Sequence, residues 1–186
     1  MRGFTPAPWL ATGAACAALA PSSAFAVDYM SADQAAQSMF PQAERFESRD
    51  VVLDAQALQR LDASGVRARS ARWTVRVAKR GSETLGYVVV DEVIGKFELI
   101  TYAVGLSTDG AVRQVEVLSY RESHGHEIRL PAWRRQFVGK TVSAPLRVGD
   151  DIANISGATL SCTHVTDGVR RIVAVIDWAR KQGALS

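Results

Sequence analysis

Between Arg72 and Tyr120 the chain carries four apolar stretches with strand character, and an Asp-Gly pair separates the last two, which commits the middle of the sequence to a sheet. Trp73, Val75 and Val77 alternate with Arg72, Thr74 and Arg76, the period-two signature of a half-buried strand. Leu85 to Val90 is a continuous apolar run suited to a strand covered on both faces. Phe97 to Leu106 and Ala111 to Tyr120 flank Ser107-Thr108-Asp109-Gly110. Asp109-Gly110 predicts a hairpin turn with positive φ at both positions.

Helices are expected only at the ends of this block. Ser31, with Gln34 three residues on, forms a capping box for a short helix ending before Pro41. Asp54 caps a second helix through Leu58 and Leu61 that stops near Gly65. Pro131 and Gly139 bracket a short amphipathic helix with Trp133 and Phe137 on one face. Val165, Val169, Ile172, Val173 and Ile176 recur at helical spacing, Arg180 and Lys181 suit the negative helix end, and Gly183 lies just past it. Strands in one run with helices outside them predict an α+β fold, an antiparallel sheet with a β-hairpin packed by short helices and a C-terminal helix.

Residues 1–26 read differently from the rest. They hold one charge, Arg2, then an alanine-rich apolar run from Trp9 to Leu19, and end on Ala24-Phe25-Ala26. That is the pattern of a secretory signal peptide cut after Ala26, leaving residues 27–186 as one domain on the periplasmic side. The apolar run is about half the roughly 20 residues needed to span a bilayer. A lipoprotein reading through Cys16 lacks a large aliphatic residue three positions earlier. Removing Arg2 from the 22 basic residues leaves them only two ahead of the 19 acidic ones. The basic residues are interleaved with acids, so nucleic-acid binding has no support. Cleavage also removes Cys16 and leaves Cys162 without an intramolecular partner.

Chemistry concentrates before the C-terminal helix. Ser156-Gly157-Ala158-Thr159-Leu160-Ser161 is a small-residue turn that delivers a threonine hydroxyl to a helix N-terminus. The free N–H groups and positive dipole end there stabilise an anion such as a phosphate. Taken alone, the same residues would equally serve as a turn that merely starts a helix.

The Ser156–Ser161 segment resembles the Ser/Thr-Gly-Ala-Thr-x-Ser/Thr motif of the FMN-binding domain family, which includes periplasmic components of sodium-pumping NADH:quinone reductase and of ferredoxin-oxidising complexes. Met39-Phe40-Pro41, Gly86-Tyr87-Val88-Val89, the turn at Asp109-Gly110, and Trp133 with Gln136-Phe137-Val138-Gly139-Lys140 follow the family's landmarks in order. The resemblance implies FMN attached to Thr159 through a phosphodiester, installed by a flavin transferase that uses FAD. Ser156, Gly157, Ala158, Leu160, Ser161, Glu122 and Ser123 would border the cofactor, with Trp133, Phe137 and the loop to Glu127 as further candidates for surfaces near the ring. Core packing is the commoner role for the two aromatics. The chain departs from the family at Ala153, where an aspartate is usual, and at Glu122-Ser123-His124-Gly125-His126-Glu127, where Glu-Thr-Pro-Gly-Leu-Gly is often found.

Other constellations are weaker. His124 and His126 with Glu122 and Glu127 have metal-ligating side chains, but such groups on a loop are more often solvated or hydrogen-bonded, and no metal site is assigned. Cys162 at a helix start is either a thiol of lowered pKa or a small buried hydrophobe. The sequence has no Gly-x-Ser-x-Gly elbow, dinucleotide fingerprint or phosphate-binding P-loop. The expectation is therefore an electron-carrying flavoprotein served by a membrane-bound redox donor or acceptor, rather than a stand-alone enzyme. The alternative is a periplasmic binding or regulatory module of the same fold without covalent flavin.

Overall fold

The computed structural model describes residues 27–122 and 124–185. The expected leader with its cleavage site, and the candidate Ser123, lie outside them. Strand β1 (Val27–Asp28) is followed by helix α1 (Ala32–Met39), β2 (Arg45–Val52), α2 (Ala55–Ala63), β3 (Arg72–Arg80), β4 (Glu83–Ile94), β5 (Leu99–Ser107), β6 (Val112–Tyr120), α3 (Pro131–Arg134) and α4 (Thr159–Lys181). The strands form one sheet in the order β1-β6-β5-β4-β3-β2, antiparallel throughout. The α+β architecture read from the sequence is the one observed.

The caps fall where the side chains demand. Ser31 Oγ accepts from Gln34 N–H while the Gln34 side chain accepts from Ser31 N–H, closing the capping box. Asp54 Oδ1 accepts from Ala57 N–H at 2.7 Å. Pro131 opens α3, which tightens into a 3-10 turn over Arg135–Phe137. The Trp133 and Phe137 rings meet edge to face at 5.1 Å.

Alternation along the strands gives the sheet two apolar faces. On one, Ala78, Val88, Ala103 and Leu118 pack against Ala35, Ala36, Met39 and Phe40 around α1. On the other, Tyr87, Val89, Val93, Ile100, Tyr102, Val104 and Leu106 meet Val165, Val169, Ile172, Val173 and Ile176 of α4, all buried as their spacing predicted. Full burial of each such aliphatic side chain stabilises the fold by roughly 1.5–3 kcal/mol. Gly168 is what lets α4 sit this close, because a Cβ there would lie 1.9 Å from Tyr102 Oη. That hydroxyl donates to Asp91, which pairs with Arg171 of α4.

Two expectations need correction. The sheet has two more strands than the four read from the sequence. β1 is two residues long, and β2 carries Arg45, Glu47, Arg49 and Asp50 with only Val51 buried, so neither has a legible apolar pattern. Charges suit β2 because it is an edge strand, where they discourage pairing with other chains. The β5–β6 turn is also not the two-residue type expected. Gly110 N–H donates to Ser107 O and Ser107 N–H donates to Ala111 O, which makes a three-residue loop with positive φ at Gly110 and not at Asp109. Asp109 contributes through its carboxylate, which accepts from the Ser107 hydroxyl and the Ala111 N–H.

Candidate functional site

The first helical hydrogen bond of α4 runs from Cys162 N–H to Ala158 O, so the N–H groups of Thr159, Leu160 and Ser161 precede any intrahelical acceptor. Among the described residues no side chain caps this end of the 23-residue helix, whose positive pole faces the loop region before it. Thr159 is its first residue and is exposed, with Asn154 Nδ2 donating to Thr159 Oγ1 at 3.1 Å.

The segment before the helix is held from below. Trp133 Nε1 donates to Ala153 O at 2.8 Å, and Ala153 N–H donates to Gln136 Oε1 at 2.7 Å. Asp151 accepts from the Leu146 and Arg147 N–H groups and pairs with Lys140 Nζ at 2.8 Å. Burial opposes charge on Asp151, but the Lys140 bond and the two N–H donors prevail and keep its pKa below the ordinary carboxylate value. Lys140, Trp133 and Gln136 therefore act together as the footing of the loop that presents Thr159.

Thr159 opens into a groove of about 280 Å³ lined by Gly157, Ala158, Thr159, Leu160 and Ser161 on one side and by Lys96, Phe97, Glu122 and His124 on the other. Six of the candidate residues described, Gly157 to Ser161 and Glu122, are brought together here; Ser156 adjoins them in the chain. The loop and the motif touch directly, since a Cβ on Gly125 would come within 2.7 Å of the Ala158 Cβ and of Tyr120 Oη. Tyr120 donates its hydroxyl proton to His124 O, and Ser161 Oγ lies 3.2 Å from the same hydroxyl. Ser161 is buried, and its hydroxyl faces that of Tyr120 at the groove. Trp133 and Phe137 are core residues, not groove walls.

Glu122 faces the groove, but its carboxylate is engaged. Oε1 accepts from Phe97 N–H at 2.5 Å and Glu98 N–H at 2.9 Å, fixing the β4–β5 turn. Desolvation pushes its pKa up, and the backbone donors of Glu98, Phe97 and Lys96 with the Lys96 charge more than offset this, so it lies below the ordinary value. Cys162 is fully buried and burial raises its pKa, which identifies it as a small core hydrophobe and not the thiol of lowered pKa weighed above. His164 Nδ1 lies 2.5 Å from Ile94 O and ties α4 to the end of β4.

Sequence reasoning misses Lys96, Phe97 and Asn154. Phe97 reads as part of the following strand because it precedes Leu99 and Ile100 in an apolar run, yet β5 begins only at Leu99. Nothing in the sequence marks Asn154 beyond its nearness to the motif.

Residues 95–174 match the model of the FMN-binding domain. The chain is 31% identical over 103 residues to a component of the proton-translocating ferredoxin:NAD(+) oxidoreductase complex of Clostridium ljungdahlii, covering 52% of this chain and 56% of that one. The match thus spans little more than half of the relative's length. Among solved structures, Shewanella oneidensis NqrC aligns with a TM-score of 0.47 and 16% identity over 79% of this chain and 73% of its own. A component of the Na(+)-translocating NADH-quinone reductase of Parabacteroides distasonis aligns with a TM-score of 0.47 and 15% identity over 84% of this chain and 85% of its own. The resemblance to the FMN-binding domain family read from the sequence is the one the family match over residues 95–174 returns.

Proposed function

We propose that this chain is an exported flavoprotein that carries FMN as a phosphodiester on Thr159 and relays electrons within a membrane-associated chain. The observation that carries the reading is an exposed threonine hydroxyl at the uncapped N-terminus of α4, inside a groove and within the segment that matches the FMN-binding domain. These residues fit a phosphate. The N–H groups of the first turn and the helix dipole favour the anion, and Gly157 and Ala158 leave its approach unobstructed. Asn154 occupies one lone pair of Thr159 Oγ1 and orients the hydroxyl. Thr159 would hold FMN through its Oγ, which would take the place of AMP on the flavin phosphate of FAD, the hydroxyl proton passing to base in a dedicated flavin transferase.

FMN, when bound, accepts two electrons and releases them singly. The chain's own contribution is to tether, orient and shield. A tether suits the periplasm, where a dissociated cofactor would diffuse away. Among the described residues no helix is long and apolar enough to cross a membrane.

In-gel fluorescence of the denatured protein from its native host tests the attachment, with a fluorescent band expected for the wild type and none for Thr159→Ala. Anaerobic mixing with NADH or NADPH should leave the flavin oxidised until host membranes are added; rapid, saturable reduction by the nucleotide alone would make the protein an enzyme in its own right. The second reading, a binding or regulatory module without covalent flavin, draws on Ala153. Both bonds that hold that residue are to its backbone and do not depend on the side chain at this position. A dark band in the native host would favour that second reading.

A further inference from the structure

The tip of the β4–β5 hairpin has no role in the core. Phe97 is 75% exposed there, with Ile94 and Leu99 also open to solvent. An exposed aromatic on a mobile loop would need no explanation. This one sits on a turn that the fold goes to some length to fix. Gly95 N–H donates to Glu98 O across the turn, and the Glu122 carboxylate accepts from the N–H groups of Phe97 and Glu98. Gly95 leaves room for that carboxylate, since a Cβ would lie 2.6 Å from Glu122 Oε1. Below the tip, His164 of α4 contacts Ile94 O.

The Phe97 ring, carried on this fixed backbone, lines the same groove as Thr159 and Leu160, and Leu160 is itself 46% exposed. Lys96 Nζ lies 4.8 Å from the Phe97 ring centroid, so the tip offers an aromatic surface with a cation beside it. Apolar walls and a single cation next to an anion-binding helix end describe a place for a flat heteroaromatic ring joined to a phosphate.

Resting on the reading that Thr159 carries FMN, we propose that Phe97 packs against the isoalloxazine ring, and that Glu122 is the positioning residue that holds the hairpin tip over it. The other wall of the ring site is Leu160. Glu122 therefore serves the cofactor through the hairpin tip, which accounts for a carboxylate facing the groove whose Oε1 accepts from two backbone donors.

The test uses the full chain matured with its transferase, and time-resolved flavin fluorescence reports only the loaded molecules. Tryptophan quenches an excited flavin by electron transfer at contact distance, so Phe97→Trp should shorten the lifetime several-fold. Phe97→Ala should increase quenching by iodide and lower the flavin anisotropy, and Glu122→Gln should do the same to a lesser degree. Phe97→Leu, which keeps an apolar cover, should restore most of the protection. A loaded Phe97→Trp protein with the wild-type lifetime, or equal iodide access in Phe97→Ala and wild type, would overturn the proposal and leave attachment at Thr159 standing. Absence of flavin from Thr159 in the wild type would remove both together.

Discussion

The two ends of α4 each meet a hairpin turn, and they are built in opposite ways. At the C-terminal end Arg180 Nε donates to Thr108 O, and Arg180 and Lys181 both pair with Asp177, so charge suits the negative pole and the β5–β6 turn is locked to the helix. At the N-terminal end no side chain among the described residues caps the helix, the tip of the facing β4–β5 turn is held by Glu122 while His164, further along α4, reaches only the base of that turn at Ile94 O, and a groove separates the tip from the helix start. Between them lies a stretch buried against the sheet. One helix is thus scaffold along most of its length and site at its start, and the sheet holds the start in place.

That contrast can be broken from the scaffold side first. Arg171→Met should cost the most stability, about 3 kcal/mol in chemical denaturation, because it leaves Asp91 unpaired beside the Tyr102 hydroxyl under α4. Gln136→Ala removes the acceptor for Ala153 N–H and should cost about 1 kcal/mol. Its diagnostic effect is local, with faster hydrogen exchange across residues 150–158 and unchanged protection in β4 and β5.

Acid acts on the site side. Because the pKa of Glu122 is lower in the folded protein than its ordinary value, its contribution is complete above about pH 4.5 and is lost as pH falls through the lower, folded value. Glu122→Gln should therefore reduce stability at neutral pH and flatten the loss of stability between neutral pH and acid, as followed by urea denaturation across pH. Lys181→Ala should be the quietest change, within about 0.5 kcal/mol, since Lys181 is itself exposed and Asp177 keeps Arg180 nearby.

Much of this is legible in the chain itself, for physical reasons that differ by element. Strand β3 and helix α4 announce themselves because burial on one face imposes a period on apolar residues, β4 because cover on both faces makes its apolar run continuous, and β5 and β6 because apolar stretches flank Asp109-Gly110. Ser31, Asp54 and Pro131 mark helix starts because their local chemistry is independent of distant contacts. β2 is invisible because an edge strand needs charge more than alternation. The motif from Ser156 to Ser161 can be found because its chemistry is contiguous, and its footing on Trp133 and Gln136 explains why those landmarks accompany it. Phe97 and Asn154 cannot be found this way. Their importance arises only when β4 turns back into β5 and the loop before α4 folds beside Thr159, which places residues some sixty positions apart around one groove.

Mapping the flavin to a residue tests the central claim most directly. Protein purified from its native host, digested and analysed by mass spectrometry, should show the peptide containing Thr159 heavier by one FMN less one water, with fragment ions placing the addition on Thr159 and none in Thr159→Ala. Flavin on another residue, flavin retained covalently by Thr159→Ala, or an unmodified Thr159 peptide from the native host would contradict it.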